Sequence, residues 1–198
     1  MEAQYNALID SFIANKIGIA PSFISEALST ALQAHLTLLS AQGQLQQAGT
    51  GNASVALQNK LFRSDKIYWL DRSHQQPAEN DFLDMMDAFV ANLNATCYTG
   101  ITGYEFHFAI YEAGTFYHKH LDQFANNDSR KYTMIFYLNP NWLPGDGGEL
   151  CIHHIDSLQL VEPTNGTSVF FQSNIIEHEV LLSHKQRMSI TGWLKVNW

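Results

Sequence analysis

Residues 104–114 read YEFHFAIYEAG, and their alternation sets the class of the fold. Tyr104, Phe106, Phe108 and Ile110 recur at every second position, a period that puts them on one face of a β-strand. The pattern returns downstream in KYTMIFYLN (131–139) and GELCIHH (148–154), and SVFFQS (168–173) is a short apolar strand. RMSITGWLKVNW (187–198) closes the chain, with Arg187, Ser189, Thr191 and Trp193 on one face and Met188, Ile190 and Leu194 on the other. Many short strands separated by turn signals predict a sandwich or barrel.

Upstream the period changes. Tyr5, Leu8, Ile9, Phe12 and Ile13 are spaced for one face of a helix. A longer helix is expected in APSFISEALSTALQAHLTLLSAQG (20–43), with Pro21 and Ser22 as start signals and Gly43 as a stop. A third is expected in NDFLDMMDAFVANLNA (80–95), capped by Asn80 or Asp81. Between them GQLQQAGTGNASVALQNK (43–60) has no period and reads as a mobile loop, and FRSDKIYWL (62–70) reads as a strand. Helices first and strands afterwards predict an α+β layout in which the helices brace one sheet. Residues 1–198 are read as a single domain, 1–95 mainly helical support and 103–198 the β core.

Composition narrows the function. A hydrophobic fraction of 45% with 15% charged residues describes a packed chain, not a disordered one. The net charge of −8 and only 11 scattered Lys and Arg argue against a nucleic-acid partner. Cys97 and Cys151 do not make a disulfide framework and are read as two buried free thiols in a reducing compartment. The acidic, alternating N-terminus is unlike a signal peptide, and no run approaches the roughly 18 apolar residues of a membrane span. The expected location is cytoplasmic, with no membrane partner.

FYHKHLDQF (116–124) carries the chemistry. In a regular strand His118, His120 and Asp122 would all point one way, and His120 and Asp122 at i and i+2 are the pair singled out as ligands. A third ligand must come from elsewhere: His107, His118, His153, His154, His178 and His184 are the candidates. His178 stands out because it follows a buried strand, and Arg187 lies nine residues beyond it at the start of a polar row. Two histidines and one carboxylate on one side of a metal leave three adjacent positions open, which suits Fe(II) with a chelating cosubstrate and dioxygen. Zn²⁺ asks for four tetrahedral N or S ligands, and no such set is evident. A buried guanidinium fork matches the far carboxylate of a dicarboxylate cosubstrate. His-x-Asp alone recurs by chance in many proteins; with His178 and Arg187 in β-rich sequence it becomes informative. His153 and His154 are adjacent, so they point to opposite faces and are read as edge residues. His107 is read either as a satisfied histidine in the helix–sheet interface or as a pocket residue.

Taken together, IYEAGTFYHKHLDQF, RKYTMIFYLNPNW, GDGGELCI and EHEVLLSHKQRMSITGW resemble the Fe(II)- and 2-oxoglutarate-dependent oxygenases, in particular the hypoxia-inducible-factor-type prolyl hydroxylases and their short bacterial members. FRSDKIYWL resembles an Arg-x-Asp-x-Ile-x-Trp segment of that subgroup. The resemblance implies a double-stranded β-helix with iron at one open end, held by His120, Asp122 and His178. It implies that Arg187 and Tyr137 hold the far carboxylate of 2-oxoglutarate, with Tyr111 reaching its iron-side end. Tyr137 also fits by spacing, since Thr133, Ile135 and Tyr137 share a strand face, and Thr191 is placed to add a hydroxyl contact. Arg130 and Trp193 match positions near the peptide site, and Arg63 and Asp65 are read either as substrate contacts or as a local ion pair pinning a strand. Ser64 stands where the subgroup usually has glycine, which bears on closure over the substrate.

The implied cofactors are Fe(II), 2-oxoglutarate and O2, with ascorbate as an optional reductant. The implied reaction is hydroxylation of a prolyl residue in a protein, with release of succinate and CO2, and elongation factor Tu is the candidate substrate. Two other readings are carried: the same chemistry on a free amino acid or small molecule, and a non-catalytic cupin-type metal protein in which His118 and His120 both bind.

Overall fold

The computed structural model describes residues 2–49, 63–123 and 128–196. Strand β11 (Arg187–Lys195) is the spine. It pairs antiparallel with β4 (Gly103–Tyr111) on one side and with β6 (Arg130–Tyr137) on the other. Beyond β4 lie β3 (Lys66–Trp69) and β2 (Gln46–Gln47); beyond β6 lie β9 (Ser168–Gln172) and β1 (Ile17–Ala20). Opposite this seven-stranded sheet stands a four-stranded one in the order β5 (Tyr117–His120), β10 (His178–Val180), β7 (Leu150–His153), β8 (Leu158–Val161).

Both faces of the larger sheet are apolar, and each has its own partner. Phe106, Phe108, Ile110, Met134, Phe136, Ile190 and Leu194 pack against the helices α1 (Glu2–Asn15), α2 (Glu26–Ala41) and α3 (Pro77–Cys97). From the other face Ile135, Tyr137, Val169 and Phe171 meet Leu150, Ile152 and Val161 of the smaller sheet. Two facing antiparallel sheets, the larger one backed by helices, make up the double-stranded β-helix. Among the described residues no helix is long and apolar enough to cross a membrane.

Several expected boundaries move, each because a tertiary contact outweighs a local signal. Ala20, expected to open the second helix, instead ends β1, which pairs with β9, Ile17 opposite Phe171. Ser22 adopts φ 56°, which a helix excludes, and α2 starts only after Ser25, whose hydroxyl accepts from Leu28 N–H. Helix α3 starts at Pro77, earlier than Asn80 or Asp81 suggested, because proline suits the first turn. Glu79 in that turn is buried and accepts hydrogen bonds from His35, His74 and the Asp71 backbone, which ties α2 and α3 to the exit of β3. Ile13, expected on the buried stripe of α1, is 63% exposed. The strand expected over 62–70 is regular only over Lys66–Trp69; Arg63 makes an isolated bridge to Tyr117, and residue 62 lies outside the described residues. Of the loop expected over 43–60, residues 50–60 also lie outside them, and Gln46–Gln47 pair with β3 instead of looping. Cys97 is exposed, so only Cys151 is the buried thiol expected.

Gly192 marks where the spine is tightest. A Cβ there would lie 2.3 Å from the Glu105 carbonyl oxygen and 2.1 Å from a Phe106 ring carbon, and backbone cannot yield as a side-chain tip can. Gly192→Ala is therefore expected to cost about 3 kcal/mol, the upper part of the usual overpacking range. A urea denaturation midpoint equal to that of the unmodified chain would show that the β4–β11 contact is looser than this.

Candidate functional site

The pocket between the sheets is built rung by rung. Strand register sets Arg187 opposite Tyr111, Ser189 between Ala109 and Tyr137, Thr191 between His107 and Ile135, and Trp193 between Glu105 and Thr133. Arg187, Ser189 and Trp193 are all buried, and the row opens to solvent only at Trp69, 45% exposed, which pairs with His107 on the neighbouring strand. Arg187 thus sits at the floor and Trp193 at the rim.

Three donor side chains meet above the floor. His120 ends β5, Asp122 follows two residues later, and antiparallel pairing of β10 with β5 sets His178 opposite His120. The Asp122 carboxylate lies between the two rings, Oδ1 3.4 Å from His120 Nε2 and Oδ2 3.5 Å from His178 Nε2. One ligand atom from each of the three lies within 4.8 Å of the others. Both rings are held by their far nitrogens: His120 Nδ1–H donates to the His118 carbonyl at 2.7 Å and His178 Nδ1–H to the Ile176 carbonyl at 3.0 Å. That fixes the tautomer and turns both Nε2 lone pairs toward Asp122. The Thr133 hydroxyl donates to Asp122 Oδ2 at 2.8 Å. Burial works to raise the Asp122 carboxyl, but His178, His120 and the Thr133 hydrogen bond outweigh it and hold the group well below the usual carboxylate range. Burial lowers His178, against the pull of Asp122.

At the floor Arg187 is buried, and among the described residues no carboxylate pairs with it. Its Nε donates to the Gly148 carbonyl at 2.9 Å, and its guanidinium carbon lies 4.9 Å from the Tyr111 ring centroid and 5.0 Å from that of Tyr137. Gly148 has φ +66°, and a Cβ there would meet Arg187 Cδ at 3.0 Å, so glycine is what lets the arginine lie down. Tyr137 is fully buried; among the described residues its hydroxyl meets no acceptor, and its polar neighbour is the Arg187 guanidinium. Burial raises the Tyr137 phenol while Arg187 works against it, so at neutral pH the hydroxyl keeps a proton to donate.

The rim is aromatic and cationic. Arg130 stacks on Trp193 at 3.4 Å and is gripped by Glu105, which also accepts from Lys195. Trp69, His107 and Trp193 form a run of rings with centroids 5.0 and 5.5 Å apart. Arg63 and Asp65 form a bidentate pair at 2.6 and 2.8 Å, with Asp65 fully buried. His107 is a pocket residue, and its Nδ1 is buried with no hydrogen-bond partner among the described residues.

A model of the 2OG-Fe(II) oxygenase superfamily matches residues 106–195. A prolyl-4-hydroxylase from Pseudomonas putida is 32% identical, with a TM-score of 0.87, covering 98% of this chain and 100% of that one. The chain belongs to the 2OG-Fe(II) oxygenase superfamily. Mouse prolyl hydroxylase EGLN3 is 27% identical, over 87% of this chain and 75% of its own length. A Trichoplax adhaerens prolyl hydroxylase, solved in complex with a hypoxia inducible factor oxygen degradation domain peptide fragment, is 27% identical with a TM-score of 0.86, covering 98% of this chain and 90% of that one.

This oxygenase is a 2-oxoglutarate-dependent dioxygenase of prolyl-hydroxylase type, and its family implies Fe(II), 2-oxoglutarate and O2. The residues present fit these groups. Two imidazoles and a carboxylate with no thiolate form a donor set suited to Fe(II). A buried guanidinium without a carboxylate, beside an orphaned phenol, suits an incoming carboxylate.

One strand departs from regular alternation. From His178 to Val180 is two residues, but their partners His120 and Tyr117 are three apart, so β5 carries a bulge. The extra residue reverses parity: Tyr117 turns into the pocket and stacks on His120 at 3.6 Å and 15°, while His118 is exposed. The three-residue face His118, His120, Asp122 does not form, nor does the cupin pairing of His118 with His120. Tyr117 was missed because spacing alone cannot register a bulge. His184 and His154 lie outside the pocket on exposed positions.

Burial, then Arg63, pushes the His107 imidazole from its ordinary 6.5 down to about 3. Between those values the unfolded chain binds a proton there that the folded chain refuses, so stability rises with pH across this window and falls on acidification. The slope from this one ring is at most about 1.4 kcal/mol per pH unit. Urea midpoints of the metal-free protein at pH 7 and 5 are expected to differ more for the unmodified chain than for His107→Leu; equal differences would put the imidazole in contact with water.

Proposed function

We propose that this chain hydroxylates a prolyl residue in a protein substrate. His120, Asp122 and His178 hold Fe(II), and Arg187 and Tyr137 bind the far carboxylate of 2-oxoglutarate. The observation that carries this reading is the floor of the pocket, where a buried guanidinium with no carboxylate among the described residues adjoins a buried phenol that has no acceptor among them, below the three-donor cluster.

The protein's share of the chemistry is aim and shelter. Arg187 fixes one end of the keto acid before oxygen arrives, which removes orientational freedom from the reacting complex. Tyr111, opposite Arg187, closes the side of the channel, and Thr191 adds a hydroxyl one rung above Ser189. The Nδ1–H hydrogen bonds of His120 and His178 orient both rings so that Nε2 is the atom offered to a metal, and Thr133 keeps one Asp122 oxygen occupied so that the other is free to bind. When bound, iron with 2-oxoglutarate and O2 supplies the oxidation, yielding succinate and CO2 and placing one oxygen atom on the substrate. No side chain needs to act as a general base.

A proline ring suits the rim. Trp69, 45% exposed, offers a flat apolar face beside the buried edge of Trp193, and Arg130 braces Trp193 while Glu105 holds Arg130. Arg63 and Asp65 line the same pocket and border the substrate. The likeness to the Pseudomonas putida prolyl-4-hydroxylase and to EGLN3 supports proline over a free amino acid. Elongation factor Tu is the first candidate substrate, ascorbate the candidate reductant, and a cytoplasmic location fits both.

The test is incubation of a proteome with Fe(II), 2-oxoglutarate and the enzyme, followed by mass spectrometry. Proline residues gaining one oxygen in step with succinate are expected. Turnover that modifies only free amino acids would overturn the protein-substrate reading. Tyr137→Phe removes one hydrogen bond to a charged group, about 1.5–3 kcal/mol, so KM for 2-oxoglutarate should rise tenfold or more while iron content is unchanged. His178→Ala should lose the iron instead. If Tyr137→Phe leaves KM alone, the carboxylate does not sit at this floor.

A further inference from the structure

On the other side of β10 a second cluster of metal-capable side chains stands back to back with the first. His178 and Glu179 are consecutive on that strand and point to opposite faces, His178 into the pocket and Glu179 outward. On β7, Leu150 and Ile152 face the inter-sheet core, so Cys151 and His153 face outward with it. Cys151 is the register partner of Glu179, and His153 lies two residues along the same face. His153 Nε2 is 2.9 Å from Glu179 Oε1 and 4.0 Å from Cys151 Sγ. One ligand atom from each residue lies within 4.8 Å of the other two.

We propose that Cys151, His153 and Glu179 form a second metal site, for a thiophilic divalent cation of the zinc type, on the outer face of the four-stranded sheet. The donors are one sulfur, one imidazole nitrogen and one carboxylate oxygen, a set that favours Zn²⁺ over the all-N/O inner cluster's preference for Fe(II). All three stand on paired strands rather than loops, so their spacing is preset. His153 and Glu179 are each about one-quarter exposed, at 22% and 24%, which gives the ion a path from solvent and room for a water as fourth ligand. On binding, the thiol proton leaves to solvent and sulfur binds as thiolate, while the His153–Glu179 hydrogen bond opens to admit the ion. The plain alternative is a surface His–Glu ion pair beside a buried thiol.

Cobalt(II), added anaerobically to the full chain, separates the two. Only a sulfur ligand gives a near-ultraviolet thiolate-to-cobalt charge-transfer band, and the inner cluster has no sulfur. The expected result is two equivalents bound per chain, with the band retained in Cys97→Ser and in His178→Ala but absent in Cys151→Ser. Glu179→Gln, exposed enough to fold normally, should weaken the sulfur-linked binding about tenfold or more. A single equivalent with no such band, or a band that survives Cys151→Ser, would sink the proposal. Loss of the inner site in His178→Ala tests the catalytic reading separately and leaves the outer readout intact.

Discussion

The register of β11 against both of its neighbours is the constraint on which the rest of this molecule stands. Its nine residues turn Arg187, Ser189, Thr191 and Trp193 away from the helices, with Arg187, Thr191 and Trp193 lining the pocket, and Met188, Ile190 and Leu194 toward them. A slip by one residue would exchange the two rows, placing a guanidinium among phenylalanines and three aliphatic side chains in the cavity. Such a slip would leave a charge unpaired in apolar surroundings, so the helix-side core selects the register that the pocket needs. Stability and chemistry are thus written on alternate residues of one strand. Gly192 is the point where the helix side leaves no room even for a methyl group.

The pocket stores unmet polarity at its floor. Arg187 has backbone and hydroxyl acceptors and two aromatic faces, but among the described residues no carboxylate. Among the described residues the Tyr137 hydroxyl has no acceptor for its proton. An unsatisfied buried polar group typically costs about 1–3 kcal/mol. Folding tolerates that cost because the surrounding sheet over-determines both side chains, and a carboxylate ligand would recover it on binding. The same logic explains why the inner donors are preset: ring orientations fixed by backbone carbonyls do not have to be bought with binding energy.

Most of the larger sheet could be read directly from the sequence, and so could the residues that meet in the pocket. Long strands with strict alternation, such as 104–111 and 187–195, declare their faces without help. Elements whose existence depends on a distant partner did not declare themselves. Ile17–Ala20 is only four residues and becomes a strand because β9 presents an open edge; Leu158–Val161 and His178–Val180 are likewise strands by pairing. The bulge in β5 was invisible for the same reason, since parity is set by what lies across the ladder. Tyr117 and His118 therefore exchanged the roles that alternation assigned. His153, read as an edge residue, belongs to a cluster that forms only when β7 and β10 are paired.

The Arg63–Asp65 pair shows how a structural contact and a site contact can be one thing. Asp65 is wholly buried, so its charge requires the bidentate guanidinium; burial works to lower the Arg63 pKa, but Asp65 outweighs it and the arginine stays charged. Removing one member of such a pair strands the other, at roughly 3–5 kcal/mol. Yet Arg63 also lies 4.7 Å over the Tyr117 ring, and Tyr117 is stacked on His120. The ion pair therefore presses, through one aromatic ring, on an imidazole of the inner cluster. Pinning the strand and orienting that imidazole are the same act, and a substitution at Asp65 would be felt at His120 before any substrate arrived.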